Sequence, residues 1–368
     1  MSNVLEHYAY LHTIPEPGLQ EYKTAAYIAK ELKALGYEVM TELNGDTGVC
    51  AIIDTGVPGP ALGLRADMDA LTHLIDGKYE QRHTCGHDSH VSMLLAAAKA
   101  IKEQNIVKKG KLKLIFQPAE EIDKGARSII ASGVIDDLDM MFGMHIRPIQ
   151  ECAKGHIIVG MQYSASHNIT VKLKGIPAHG ARPHLGINPI DAALNVISAA
   201  NAIHADPRVP FSVKCTRIIA DAGAVNSVPE FCTMNFDMRA QTNEVMDELK
   251  KKINWAIENG AKSVGAEVFS NVCGMDCPAA ELDEGMTALV KEIVTEQLGA
   301  ECADPVFTTS GAEDFFWYKR MRPNLKVGFA GIGVGAEPGM HHPDMHFDTS
   351  YLENGVMLHV NLVKKLLG

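Results

Sequence analysis

Apolar residues recur at helical spacing through EYKTAAYIAKELKALGYEV, and Gly36 stops that run. Short apolar runs in VCAIIDTG and ALGLRAD predict buried strands, and HVSMLLAAAKAIKEQ predicts a helix. GKLKLIFQPAEE and MMFGMHIRP read as strands that end in polar residues, with GARSIIASGVI as a helix between them. Strands alternating with helices predict an α/β domain with a mainly parallel sheet flanked by helices. The period changes near residue 164. SHNITVKLKG, FSVKCTRIIADAG and EFCTMNFDMRA alternate as half-buried strands do, and AEVFSNVCG reads as a further strand. Two helices separate them. NPIDAALNVISAANAI starts behind Asn188 as a cap with Pro189 at its first position, and NEVMDELKKKINWAIENG is amphipathic. This β-α-β-β-α-β order is the ferredoxin-like plan. The expectation is an inserted domain over 164–275 within a first domain formed by 1–163 and 276–368. The first pattern then resumes with a helix in EGMTALVKEIVTEQLG, a strand in LKVGFAGIGVG and a closing helix in SYLENGVMLHVNLVKKLL.

Charge and composition remove several classes of function. The 368 residues carry a net charge of −11, which argues against a binder of nucleic-acid backbones. The opening residues lack a basic segment leading into an apolar stretch, so no signal peptide is expected. VSMLLAAAKAI at 91–101 is too short to span a bilayer and contains Lys99, so no membrane partner is expected either. Eight scattered cysteines are too sparse for a disulfide scaffold and fit reduced thiols in a cytoplasmic protein.

The segment HTCGHDSH at 83–90 crowds three histidines, a cysteine and an aspartate into eight residues. Cys85 and His87 stand two apart before a helix, where thiolate and neutral imidazole suit zinc and related borderline metals. The other reading is a buried structural cysteine beside a surface histidine. Strand ends elsewhere decide between them. LGLRADMD delivers Asp67 and Asp69, LKLIFQPAEE delivers Glu120 and Glu121, MMFGMHIRP delivers His145, and VGFAGIGVGAEPGMHH leads to His341 and His342. In an open parallel sheet, sites form outside the carboxyl ends of the strands. Neighbouring side chains at a strand end point apart. One glutamate of the 120–121 pair can therefore hold a metal while the other serves as general base in amide hydrolysis. Asp69 suits a supporting role, holding a ligating imidazole by its other nitrogen. His90 reads as a packed or capping residue, His83 as solvent-facing or local, and His12 as ordinary. In the inserted domain, His179 and His184 flank GARP in a loop. His179 there suits an oxyanion donor, while Asn226 and Arg239 stand at strand ends where Arg can fork onto a carboxylate.

These segments in order resemble the dinuclear metal amidohydrolases related to aminoacylase, hippurate hydrolase, auxin-conjugate hydrolases and glutamate carboxypeptidase. The likeness is strongest to the bacterial N-acyl-amino-acid amidohydrolases with cysteine in the metal motif. It rests on LHTIPEPGLQEYKTA, RADMDAL, HTCGHDSH, FQPAEE, GMHIRP, PAHGARPHLGINPIDAA, NSVPE, DMRA, SGAEDF and HHPDMHFD, nearly end to end. The resemblance implies Cys85, His87, Glu121, His145 and His341 as ligands of two divalent ions, with a bridging group shared between them. Zinc is expected first, with manganese, cobalt or nickel as alternatives. It implies Glu120 as general base, Asp69 as the supporting carboxylate and His179 as the histidine of a lid domain that pairs in homodimers. Asn226 and Arg239 match positions near the substrate, and Arg182 is an added contact for an anionic group. The implied reaction is hydrolysis of small N-acyl amino acids, with carboxypeptidase or dipeptidase activity on short peptides as the alternative. Two features depart from the pattern. THLIDGKYEQRHT replaces a longer loop beginning Pro-Ile, and MHHP stands where relatives often have LHNP, so His342 adjoins His341.

Overall fold

A computed structural model describes residues 3–368. Its contacts divide into two compact units. One comprises the chain up to Gln162 together with 281–308 and 313–368, and the other comprises 163–280 with 309–312.

The first unit is an eight-stranded mixed sheet flanked by helices. Four parallel strands form its centre, in the order Lys111–Gln117, Ala61–Asp67, Met140–Pro148 and Lys326–Ala336. All seven residues of Ala61–Asp67 are buried, and all but the first of Lys326–Ala336. That burial explains why these strands are continuous apolar runs rather than alternating ones, since helices cover both faces of such a sheet. Gly48–Asp54 and then Glu38–Leu43 extend one edge in antiparallel fashion. The second of these was not legible as a strand, because only Leu43 in it is buried. The long helix His87–Glu103 packs on Leu352–Leu367 and Val4–Leu11, and its Val91, Leu94, Leu95 and Ala98 belong to the buried core of this unit. The segment 72–84, expected as a loop, instead contributes most of a two-stranded hairpin, Leu71–Ile75 with Lys78–Arg82. Its turn is Asp76–Gly77, both at positive φ, the type I′ geometry that matches strand twist. Asp-Gly was the signal for it. No helix among the described residues is long and apolar enough to cross a membrane.

The second unit has a four-stranded antiparallel sheet in the order Phe211–Ile219, Phe231–Ala240, Ala165–Lys174, Glu267–Cys277. Helices Pro189–Asn201 and Asn243–Lys262 cover one face, giving the ferredoxin-like arrangement. The Asn188 side chain caps the first helix by accepting from Ile190 N–H, and Thr242 caps the second. The two helices approach closely at Gly260, where a Cβ would lie 2.8 Å from the backbone of Val196.

Candidate metal centre

The central strands of the first unit deliver polar residues at their carboxyl ends, and these converge with the start of the His87–Glu103 helix. Gly86 makes the local turn possible. It has φ +82°, and a Cβ there would lie 2.3 Å from Ile146 Cδ1, so Cys85 and His87 flank a position that only glycine fits.

Cys85 Sγ lies 3.3 Å from His145 Nε2. Glu121 Oε1 stands 3.8 Å from His87 Nε2 and 3.5 Å from His341 Nε2. The donor atoms of Cys85, His87 and His145 lie within 4.8 Å of one another, as do those of Cys85, Glu121 and His341, and those of His87, Glu120 and Glu121. The structure therefore brings together the five residues expected as ligands, with Glu120 beside them.

Two imidazoles are held in the tautomer that ligation requires. His87 Nδ1 is 3.1 Å from Asp69 Oδ1, and His145 Nδ1 is 2.6 Å from the carbonyl of Ile146. Each Nδ1–H donates outward, which turns Nε2 toward the cluster. Asp69 also accepts the backbone N–H of Glu121 at 3.1 Å, so one carboxylate orients two of the five. His341 has φ +66°, an uncommon region for a non-glycine residue, and its N–H donates to the Thr84 carbonyl at 2.8 Å. His342 is engaged in its own turn, where Nδ1 accepts the N–H of Asp344.

His87 Nε2 and Glu121 Oε1 are buried without any hydrogen-bond partner. Burial pushes the Cys85 thiol well up, lifts Glu121 to about 7, and together with Glu313 and Glu121 raises Glu120 well above the carboxylate range. Burial, with His90 and Arg147 close by, holds His145 well below the usual imidazole value. Orphaned donor atoms among acids that resist ionisation form an arrangement that a cation relieves, and a thiolate–imidazole–carboxylate set suits a borderline divalent metal. The residues present fit the implied metals.

Beneath the cluster lies a charged network that the sequence did not reveal as such. Arg65 is wholly buried and donates to Asp67 at 2.5 Å, to Glu313 and Asp314 at 3.0 Å each, and to Gln117 at 2.9 Å. Asp314 also accepts from Gln117 and from Ala126 N–H, and its own N–H faces Glu120 Oε1 at 3.5 Å. Asp67 continues the network to His90 Nδ1 at 2.6 Å, whose Nε2 accepts Ile146 N–H. His90 is thus packed with both ring nitrogens used. The available signal was charge inside apolar context, Arg65 in LGLRAD and the acids of SGAEDF. His83, expected at the surface or in local contacts, is 5% exposed with neither ring nitrogen bonded. The backbone that carries it leads directly into the buried Cys85–His87 turn. His12 is hydrogen-bonded to buried Asp88 at 2.7 Å.

The remaining candidates lie in the second unit. His179 and Asn226 meet where strand Ala178–His179 pairs with Ser227–Val228, and Gly180 N–H donates to the Asn226 carbonyl at 2.6 Å. His179 is exposed, and its Nδ1 accepts from Ala181 N–H. Arg182, also exposed, donates its backbone N–H to the His179 carbonyl. Arg239 belongs to a different part of the unit, on the large sheet, where its guanidinium pairs with Asp237 at 3.2 Å and reaches the Ser310 carbonyl.

Comparison with known proteins adds family context. The model of peptidase family M20/M25/M40 matches residues 63–365. The chain is 31% identical over 371 residues to an N-acetyl-L-cysteine deacetylase of Bacillus subtilis (strain 168), covering 97% of this chain and 86% of that one. It is 30% identical over 370 residues to a hippurate hydrolase of Campylobacter jejuni, covering 97% and 94%. Among solved structures, a dinuclear metal-binding M20 peptidase of Bacillus subtilis superposes with a TM-score of 0.81 at 25% identity, covering 99% and 98% of the two chains.

Proposed function

The chain belongs to peptidase family M20/M25/M40, and from that membership we propose that it is a metal-dependent amidohydrolase that cleaves the amide bond of small N-acyl amino acids. The observation that carries the reading is the convergence of Cys85, His87, Glu121, His145 and His341 with Glu120 left beside them. The acylated amino acids in the names of the two curated relatives support the substrate class.

The five residues would hold two divalent ions, zinc first, in keeping with the dinuclear description of the structural relative. When bound, such ions supply Lewis acidity and an acidified water. Glu120 takes the proton of the attacking water on its carboxylate and passes it to the leaving nitrogen. Burial beside Glu313, Glu121 and Asp314 raises its proton affinity above that of an ordinary carboxylate. Asp69 keeps His87 in its ligating tautomer. His179 donates to the oxyanion, and Asn226, Arg182 and Arg239 contact the substrate carboxylate from an inserted lid at 164–275, through which two chains pair as a homodimer. Eight free thiols fit a reducing cytoplasm.

The test is a panel of N-acyl amino acids and free dipeptides, run on metal-stripped and remetallated protein and on Glu120→Gln. Remetallation restores cleavage of the N-acyl amino acids in preference to dipeptides. Glu120→Gln keeps its metal and loses turnover by about 10²–10⁴-fold. Unchanged turnover in that variant removes Glu120 from the reaction, and a preference for dipeptides replaces the substrate class.

A further inference from the structure

A second convergence of ligand types occurs in the ferredoxin-like unit. Strands Ala165–Lys174 and Glu267–Cys277 pair antiparallel, with His167 opposite Asp276 and Ile169 opposite Cys273. Gly274 and Met275 thus oppose Asn168 alone, an extra residue that bulges the second strand. A bulge re-aims side chains. Here it turns Cys273 and Asp276, which a regular strand would set three positions apart on opposite faces, toward the same imidazole.

His167 Nδ1 lies 2.9 Å from Asp276 Oδ1 and 3.8 Å from Cys273 Sγ. The three donor atoms fall within 4.8 Å of one another. A Cys–His–Asp relay for nucleophilic catalysis needs thiol and carboxylate on opposite ring nitrogens. Both address the same nitrogen here, so the arrangement is a point of convergence rather than a relay. Around a tetrahedral ion with bonds of 2.0–2.3 Å, neighbouring donors stand about 3.3–3.7 Å apart, and the two separations bracket that range. Against the cost of burial, His167 and Lys250 hold Asp276 down at about 2, so the carboxylate is an anion at neutral pH. Lys250 contacts Asp276 as well, and an incoming cation would take the place of that ammonium.

We propose that His167, Cys273 and Asp276 form a metal site separate from the cluster of the first unit. A thiolate, an imidazole and a carboxylate together select a borderline divalent ion, Zn²⁺ rather than Mg²⁺ or Ca²⁺. Cys273 is exposed, so the fourth position is open to water. His167 and Asp276 sit near the two ends of the contiguous segment 163–280, and an ion there ties the first strand of this unit to its last.

The test is alkylation of the metal-stripped full chain with iodoacetamide, with and without a small excess of Zn²⁺, read peptide by peptide by mass spectrometry. Ligated thiolate is withdrawn from the reagent, so Zn²⁺ slows modification of Cys273 about tenfold or more. Mg²⁺ leaves it unchanged, and His167→Gln abolishes the Zn²⁺ protection. Metal analysis then finds one Zn²⁺ fewer in Cys273→Ser than in the parent, whatever number the first unit holds. Equal modification with and without Zn²⁺, protection that survives His167→Gln, or equal metal content in Cys273→Ser overturns the site. The Cys85 peptide reports separately on the other cluster, so failure of either assignment is seen independently.

Discussion

Asp69→Asn isolates the one carboxylate that serves two of the proposed ligands. Asp69 is 1% exposed, accepts from His87 Nδ1–H through one oxygen, and accepts from Glu121 N–H through the other, both at 3.1 Å. Asparagine preserves the shape but offers a single oxygen. If that oxygen keeps Glu121 N–H, the amide NH₂ faces His87, and the imidazole must move its proton to Nε2, which covers the ligating lone pair. If it turns to His87, Glu121 N–H faces an NH₂ group in a buried position. Either way one hydrogen bond to a charged group is lost, worth about 1.5–3 kcal/mol. At 1.4 kcal/mol per decade, metal affinity falls by about 10–100-fold. The assay is competition for Zn²⁺ with a chromogenic chelator, alongside ¹⁵N spectra of the metal-free imidazoles to read the His87 tautomer. Affinity equal to the parent's, with the tautomer unchanged, would refute the argument that Asp69 acts by orienting His87.

Three further outcomes test the scaffold. Arg65→Met leaves Asp67, Glu313 and Asp314 buried without their cation and destabilises the first unit by about 3–5 kcal/mol in urea titrations. Acids stranded in this way have folded pKa values above their unfolded ones, so the deficit is largest at neutral pH and narrows as pH falls; a pH-independent deficit contradicts it. Asp276 has a folded value of about 2 against an ordinary 3.8, so in metal-free protein it contributes about 2 kcal/mol above pH 4, lost as pH falls toward 2. Asp276→Asn then flattens that part of the stability profile, and an unaltered profile sinks the assignment. Gly260→Ala drives a methyl to 2.8 Å from the Val196 backbone and costs about 1–3 kcal/mol. The loss is read as faster hydrogen exchange in Pro189–Asn201 and Asn243–Lys262, and unchanged exchange there counts against close packing of the pair.

The strands Ala61–Asp67 and Met140–Pro148 were legible because burial on both faces favours mainly apolar runs, a local property, even though polar residues close each of them. The ferredoxin-like order was legible because its strands alternate, one helix carries a cap at Asn188 and the other is amphipathic. Residue types for the metal cluster could likewise be read, since ligand chemistry belongs to each side chain alone. Distances between them could not. Glu121 and His341 are far apart in the chain, and only the alignment of strand ends in one sheet brings them to 3.5 Å. Arg65 lies in an apolar strand, and two of the acids that balance its charge, Glu313 and Asp314, come from the far end of the chain. His83 was misplaced for the same reason, because its burial depends on what folds over it. The bulge that gathers His167, Cys273 and Asp276 leaves no mark in the hydrophobic pattern beyond Gly274. Periodicity and chemistry are written locally, whereas the compensation of buried charge and the meeting of donor atoms are sums over partners distant in sequence, and these exist only once the chain has closed on itself.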